Sequence, residues 1–248
     1  MRTFDQECAD LASLETFDPA AFEAGADVPQ EVCSLILALA LVYNDYKDAL
    51  FASIAIGDAK PTGTFRKSRI WGAHAGIEFH ALRLQVGLLH ELLNLLRESG
   101  NALLHPFIAK VVKLMPSNAR GSWKSLVSVA MGSTPTDQFG RSLLLIRNKV
   151  SFHYDPKAIF SGYRHHFLGS TKRDDRAFIS RGQSMSATRF YFADAAPIGY
   201  LRSLVGDEGS DELLKSVAQL VRTVNIALKY VVEGFIQCRG MAYRSYSE

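Results

Sequence analysis

Apolar residues that recur every three or four positions are the dominant feature of this chain, and they restrict it to a helical fold. The pattern predicts a long amphipathic helix over residues 29–56 and a second one over residues 66–98. Apolar residues of the second helix lie close to a seven-residue repeat, which is typical of helices packed side by side. Together these elements predict a mostly all-α fold, an up-and-down helical bundle.

The same periodicity predicts the remaining helices. Four further segments show it, namely residues 103–115, 120–131, 136–153 and 210–237. The helix over 136–153 is expected to end near His153, because the Asp155-Pro156 pair that follows disfavours helical backbone. No repeat or linker divides the chain, so residues 1–248 are expected to form a single domain.

Residues 155–205 break the helical pattern. Glycines and Pro197 interrupt this segment, and two β-prone runs lie at residues 177–181 and 188–193. We therefore expect an irregular insertion with a small β-hairpin before the last helix.

The three cysteines are widely spaced and form no Cys-x-x-Cys pair. Such a set predicts neither a disulfide framework nor a zinc site, and it fits a reducing compartment. The N-terminal residues are acidic and contain no apolar run with a small-residue cleavage site, so we expect no signal peptide. The most apolar run, residues 32–43, is shorter than the roughly 20 residues that span a bilayer. We expect a cytoplasmic protein without membrane segments.

Charge is distributed unevenly along the chain. Residues 1–31 carry eight acidic residues and one arginine, whereas residues 101–189 carry fourteen lysines and arginines against four aspartates, a local charge of +10. A basic region of this size suggests a surface that faces a polyanion such as nucleic acid. The alternative is a solvated surface balanced by the acidic N-terminus.

Within the helix predicted over 136–153, Arg147 and Asn148 are followed after four residues by His153 and Tyr154, in the string RNKVSFHY. This string resembles the R-x(4–6)-H motif of the HEPN superfamily (higher eukaryotes and prokaryotes nucleotide-binding), in which a polar residue, often Asn, follows the arginine. The resemblance implies a helical bundle that commonly dimerises and that acts as a metal-independent endoribonuclease in bacterial toxin–antitoxin or phage-defence systems. It implies Arg147, Asn148 and His153 as catalytic residues, and no cofactor.

RNA cleavage needs little more than such a pair, because the ribose 2′-hydroxyl is itself the nucleophile. Histidine exchanges protons near neutral pH, and the arginine fork holds a phosphate whose negative charge grows during the reaction. His153 is expected as the acid/base, Arg147 as the phosphate ligand and Asn148 as a positioning group. The expected products are a 2′,3′-cyclic phosphate and a 5′-hydroxyl.

His153 lies six helical steps after Arg147, which would place the two residues about 120° apart around the axis and roughly 9 Å apart along it. One helix therefore does not present both side chains on the same face. A cleft shared by two copies of the helix at a two-fold axis would bring them together, so we expect a homodimer.

Each of these residues also has a purely structural explanation. His153 suits the C-terminus of a helix, Arg147 can neutralise Glu78, and Asn148 can be a surface amide. Glu78 lies in the apolar seam of the second helix, where a carboxylate needs a cation or a hydrogen-bond donor. Glu78, together with Tyr154 beside the histidine, is therefore expected to support the site.

Basic and aromatic residues are concentrated in the 155–205 insertion, where they suggest a surface for single-stranded RNA. The RNA-binding residues expected there are Arg164, His165, His166, Lys172, Arg173 and Arg176. The alternative is that the aromatic side chains form the core of the hairpin itself.

Two hypotheses of function follow. The first is the endoribonuclease described above, which acts on RNA and leaves room for a cognate antitoxin protein as partner. The second is a non-catalytic dimeric module that keeps the motif and binds RNA, a nucleotide or a protein partner. A third reading is a metal enzyme built on His74 and Glu78, an i, i+4 pair with no evident third ligand. P-loop ATPases, serine hydrolases and HExxH zinc proteases have no motif in this chain.

Overall fold

Helices account for most of the described chain in the computed structural model, which describes residues 5, 15–61, 69–133, 156–169, 177–184, 188–242 and 244–245. The helices are α1 (Gln30–Asp58), α2 (Arg69–Glu98), α3 (Gly100–Leu103), α4 (Pro106–Leu114), α5 (Ser117–Ala130), α6 (Pro156–Tyr163) and α7 (Tyr191–Cys238). The mostly all-α fold is thereby confirmed. None of the helices in these ranges is long and apolar enough to cross a membrane.

A pair of very short strands joins the two ends of the described chain. Strand β1 (Glu15–Thr16) pairs antiparallel with β2 (Arg244–Ser245). Next to them, the Arg239 guanidinium donates hydrogen bonds to the carbonyl oxygens of Ala21 and Glu23, each at 2.9 Å. These contacts fasten the N-terminal segment to the end of α7.

Helices α1 and α2 pack antiparallel around a buried polar contact. The Gln85 side chain of α2 is only 3% exposed, and its amide donates a hydrogen bond to Ser53 Oγ of α1 at 2.6 Å. Ser53 Oγ in turn donates to the Ala49 carbonyl oxygen at 2.9 Å. A buried amide is costly unless it is hydrogen-bonded, so this contact explains how the apolar seam of α2 accommodates a polar residue.

One apolar core lies between α1, α2, α4, α5 and the C-terminal part of α7. Phe235 of α7 is fully buried, stacks on Phe22 with ring centroids 5.1 Å apart, and meets Phe107 edge-on at 5.5 Å. Such aromatic pairs add about 0.5–1.5 kcal/mol beyond the burial of their area. The other large side chains that are fully buried are Tyr46, Ile36, Leu39, Ile54, Leu92, Leu93, Leu96, Leu126 and Leu228.

Helix α7 begins well before the residue that the sequence pattern indicates. The expected helix covers residues 210–237, whereas α7 runs from Tyr191 to Cys238. Gly206, with φ 77°, interrupts it, so that α7 consists of two helices that meet at this glycine, residues 191–205 and residues 207–238. A positive φ of this kind strongly favours glycine, which explains why the change of direction occurs there.

The 155–205 segment is more helical than expected, so the prediction of an irregular insertion is wrong for most of its described residues. Within the described residues, α6 runs from Pro156 to Tyr163, where the sequence pattern predicts irregular structure. A π-helical turn (Arg164–Leu168) continues α6. Of the expected β-hairpin, the described residues contain one antiparallel bridge, in which Ser180 and Arg189 exchange backbone hydrogen bonds at 2.9 and 3.1 Å.

Helix α6 crosses the first part of α7 at two glycines. A Cβ atom on Gly199 would overlap the carbonyl oxygen of Gly162, and one on Gly162 would overlap the carbonyl oxygen of Ala196. The two backbones are therefore in direct contact, closer than helices separated by ordinary side chains. We call α6, the π-helical turn and residues 191–205 of α7 the α6–α7 platform.

Gly199→Ala is expected to lower the free energy of unfolding by about 1–3 kcal/mol, because the added methyl group must push two backbones apart. The matched control is Gly87→Ala in α2, where a Cβ would meet nothing within 4 Å. Gly87→Ala should raise the free energy of unfolding by about 0.5–1 kcal/mol through helix propensity alone. Urea denaturation followed by circular dichroism measures both values. A shift of the same sign in the two variants would contradict the close crossing.

Candidate functional site

The residues predicted for the active site are divided between described and undescribed parts of the chain. Arg147, Asn148, His153 and Tyr154 lie outside the described residues, as do Lys172, Arg173 and Arg176 of the expected RNA-binding set. Their roles stay predictions. The structure does describe Glu78, His74, Arg164, His165 and His166.

Glu78 is not buried in the seam of α2, contrary to expectation. Its side chain is 51% exposed, and its carboxylate lies 3.7 Å from Nδ1 of His74. Among the side chains described at this end of α2, positions 76 and 79 are buried, whereas Gln85, one heptad after Glu78, lies inside the core. Phe79, the residue after Glu78, points into the protein in this turn, so the apolar face of α2 passes through Phe79 and leaves Glu78 half exposed.

His74 has a structural role that the sequence does not indicate. Its side chain is only 10% exposed, and its Nε2 donates a hydrogen bond of 2.7 Å to the carbonyl oxygen of Ile56. Ile56 lies in the last turn of α1, where carbonyl groups lack partners within the helix. This hydrogen bond occupies one of the two ring nitrogens. In the described parts of the chain, no three possible metal ligands are grouped together.

Arg164 and His165 line a cavity of about 460 Å³ on one side of α6 and its π-helical extension. The described residues that line it follow one another at helical spacing: Lys157, Phe160, Ser161, Arg164, His165, Leu168 and Gly169. Residues spaced three and four apart share a face of a helix, which explains how so short an element presents them together. None of these side chains is acidic.

An apolar cleft of about 390 Å³ lies on the other side of Phe160. Its described lining residues come from both helices of the platform: Pro156, Ile159, Phe160, Tyr163, Phe192, Ala193 and Ala196. Phe160 separates the two concavities, and it is 62% exposed. The basic cavity and the apolar cleft are therefore adjacent, with one exposed aromatic ring between them.

Other aromatic residues of the segment pack against one another. The ring centroid of Tyr163 lies 4.9 Å from that of Phe167 and 6.4 Å from that of Phe192, between α6 and α7. His166 meets Phe167 edge-on at 4.5 Å and approaches Gly199 with its Cβ, so it faces α7 and does not line the cavity. These rings form a small core within the platform, in keeping with the structural alternative considered above.

Arg189 attaches the platform to the helical bundle. Its Nε donates a hydrogen bond to Asp194 Oδ2 at 3.0 Å, and its Nη2 lies 3.0 Å from the same oxygen. The guanidinium lies directly against Gly76 of α2. A side chain at position 76 would overlap the guanidinium. Part of the positive charge of this segment is therefore used to hold the platform in place.

Sequence reasoning missed Lys157 and Phe160, although the signal was present. Positions 157, 160, 161, 164, 165 and 168 follow the three- and four-residue steps of a helix face. Reading Pro156 as a helix start, as its preference for the first helical turn allows, would have placed these residues on one face with Arg164. The arrangement can hold a phosphate group beside a planar ring.

No protein-family model, no curated protein and no solved structure matches the chain.

His74→Ala is expected to lower the free energy of unfolding by about 1–3 kcal/mol, because it removes a mostly buried ring and leaves the Ile56 carbonyl without its partner. Glu78→Gln should change it by less than about 0.5 kcal/mol, because the carboxylate is half exposed and its contact with His74 is long. Urea denaturation at neutral pH measures both. A larger loss for Glu78→Gln would show that the carboxylate has a structural partner.

Proposed function

We propose that this chain is a metal-independent endoribonuclease of the HEPN type, acting in the cytoplasm as a toxin or a phage-defence nuclease. One observation carries the proposal: Arg147 and Asn148 are followed after four residues by His153, within a chain of helical pattern. The mostly all-α fold of the described residues is consistent with it. So is the basic cavity on α6, whose first lining residue, Lys157, lies four positions after His153.

The proposed reaction is transesterification within the RNA strand. The 2′-oxygen forms a bond to the adjacent phosphorus as His153 accepts the 2′-hydroxyl proton. The bond between phosphorus and the 5′-oxygen breaks, and protonated His153 gives its proton to the departing 5′-oxygen, which leaves as a hydroxyl. Arg147 stabilises the charge that accumulates on the non-bridging phosphate oxygens, and Asn148 positions the phosphate.

The proposed site is shared between two copies of the chain. On the helix predicted over residues 136–153, Arg147 and His153 would be about 120° apart, so the arginine of one protomer would act with the histidine of its partner. The dimer would then contain two equivalent sites related by a two-fold axis.

A second candidate is a non-catalytic module that binds RNA or a nucleotide. The cavity on α6 favours it, because about 460 Å³ lies within the roughly 300–1,000 Å³ of ordinary small-ligand sites and binding there needs neither Arg147 nor His153. Growth after induced expression separates the two candidates. The nuclease should arrest growth and its His153→Ala variant should not, whereas a binding module and this variant would have the same effect.

Arg147→Ala and His153→Ala should each lower RNA cleavage in EDTA by roughly a hundredfold or more, because each removes charge stabilisation or proton transfer. Cleavage of a mixed pool of labelled RNAs on a denaturing gel measures this. Lys113→Ala, a change at an exposed lysine of α4, is the control and should cleave as the unmodified protein does. Equal cleavage by His153→Ala and the unmodified protein would contradict the proposal.

Mixing the two inactive variants tests the shared site. After random re-association, half of the dimers would be mixed, and each would contain one site with both native residues, so about a quarter of the activity should return. If the variants exchange subunits and no activity returns, each protomer uses its own Arg147 and His153.

A further inference from the structure

The α6–α7 platform combines a basic cavity with an aromatic surface in a space that fits a nucleotide. The cavity that Lys157, Arg164 and His165 line measures about 460 Å³, and the apolar cleft behind Phe160 measures about 390 Å³. Both are open to solvent along the same short helix. A ligand that carries an anionic group next to a planar apolar group can therefore occupy both at once.

The charge of the cavity selects an anion. Lysine offers a compact point charge, arginine offers a planar fork that holds phosphate through two hydrogen bonds, and histidine adds a further donor when protonated. No described residue that lines the cavity is acidic. Arg189 pairs with Asp194 and attaches the platform to the bundle, whereas Lys157, Arg164 and His165 line the cavity.

The exposure of Phe160 is not explained by packing. Phe160 is 62% exposed, whereas Tyr163, Phe167 and Phe192 are half-buried against one another. An exposed aromatic ring beside a row of cations is the arrangement with which proteins hold single-stranded nucleic acid. There the phosphates lie on the cations and the bases stack on the rings. Ala193 and Ala196 also line the cleft, and their small side chains leave room for a flat base beside Phe160.

We propose that the α6 face binds single-stranded RNA, with one base stacked on Phe160 and a neighbouring phosphate held by Lys157 and Arg164. This deepens the proposed function, on which it rests for the choice of RNA, and it assigns the α6 face to a segment of substrate next to the scissile phosphate. A base inside a duplex is already stacked on its neighbours, so the face distinguishes single strands from double strands.

The test is fluorescence anisotropy with a 5′-labelled 2′-O-methyl oligonucleotide of about twelve nucleotides, a length within the usual range of single-strand sites. The 2′-O-methyl group removes the nucleophile, so binding is measured without cleavage. Phe160→Leu should weaken binding about tenfold or more, because it keeps an apolar side chain but loses the stacking surface. Phe160→Trp should bind the oligonucleotide about as tightly as the unmodified protein, because it keeps an aromatic stacking surface. The matched control is Phe17→Leu, at a partly exposed phenylalanine remote in sequence from the platform.

The charge contacts are tested by the salt dependence of the same binding. Lys157→Ala and Arg164→Ala should each weaken binding and each reduce the slope of log affinity against log salt by about 0.7, the value for one phosphate contact to a single strand. Lys113→Ala should leave the slope unchanged. Because Phe160, Lys157 and Arg164 are exposed, the variants should keep the circular dichroism spectrum of the unmodified protein.

Three outcomes would overturn the inference. In the first, Phe160→Leu and Arg164→Ala both bind the oligonucleotide as tightly as the unmodified protein does. In the second, the protein binds an RNA duplex, and Phe160→Leu weakens that binding equally. In the third, the protein binds anionic lipid vesicles through Phe160 and does not bind the oligonucleotide. Failure of the proposed nuclease function can be distinguished from failure of the proposed RNA-binding face. If the protein binds the oligonucleotide through Phe160 but cleaves no RNA, the binding face stands and the nuclease does not.

Discussion

Direct backbone contact between α6 and α7 at Gly162 and Gly199 is the constraint on which the candidate site depends. This contact fixes α6 on the first part of α7, and the Arg189–Asp194 pair, resting on Gly76, fixes that part of α7 on α2. One face of α6 is thereby used for packing, and the opposite face stays open to solvent. Lys157, Arg164 and the exposed Phe160 lie on the open face. The two glycines therefore determine which side chains of α6 are available to a ligand.

The helical bundle could be predicted because its signal is local. Apolar residues at three- and four-residue steps identify α1, α2 and the last part of α7 without any knowledge of their partners. The predicted boundaries of the helices were wrong where the local sequence is compatible with two different structures. Pro156 can end one helix or begin the next, and the aromatic residues that begin at Tyr191 suit a strand or the first turn of a helix. Only packing against α6 resolves the second case.

The candidate site was harder to predict because it depends on contacts between distant residues. Nothing near Arg189 in the sequence shows that its guanidinium rests on Gly76, more than a hundred positions earlier. Glu78 looked buried in a strict seven-residue seam, but the real helix turns it outward, and only Gln85 of the two polar seam residues is enclosed. The Arg147–His153 motif, in contrast, is read from residue types and spacing alone, so its chemistry can be stated without its surroundings.

In the proposed mechanism, two neighbouring parts of the chain share the work of RNA cleavage. Arg147 and His153 would catalyse the cleavage. The α6 face, which starts a few residues later, would bind the RNA strand. Such a division matches what the reaction requires, because the 2′-hydroxyl attacks in line only when the ribose and the adjacent phosphate are held in one geometry. A flexible single strand does not keep that geometry by itself, so a stacked base next to the cleavage point would restrict it.

The central claim, cleavage by the 2′-hydroxyl of the substrate, is tested most directly by removing that hydroxyl. Once a cleavage site is mapped on an RNA in EDTA, the same RNA is prepared with one 2′-deoxynucleotide on the 5′ side of the scissile bond. The account predicts that cleavage at this bond disappears and that the unmodified RNA yields a 2′,3′-cyclic phosphate and a 5′-hydroxyl, as mass spectrometry of the fragments would show. Cleavage of the deoxy-substituted bond, or fragments that end in a 5′-phosphate and a 3′-hydroxyl, would contradict it.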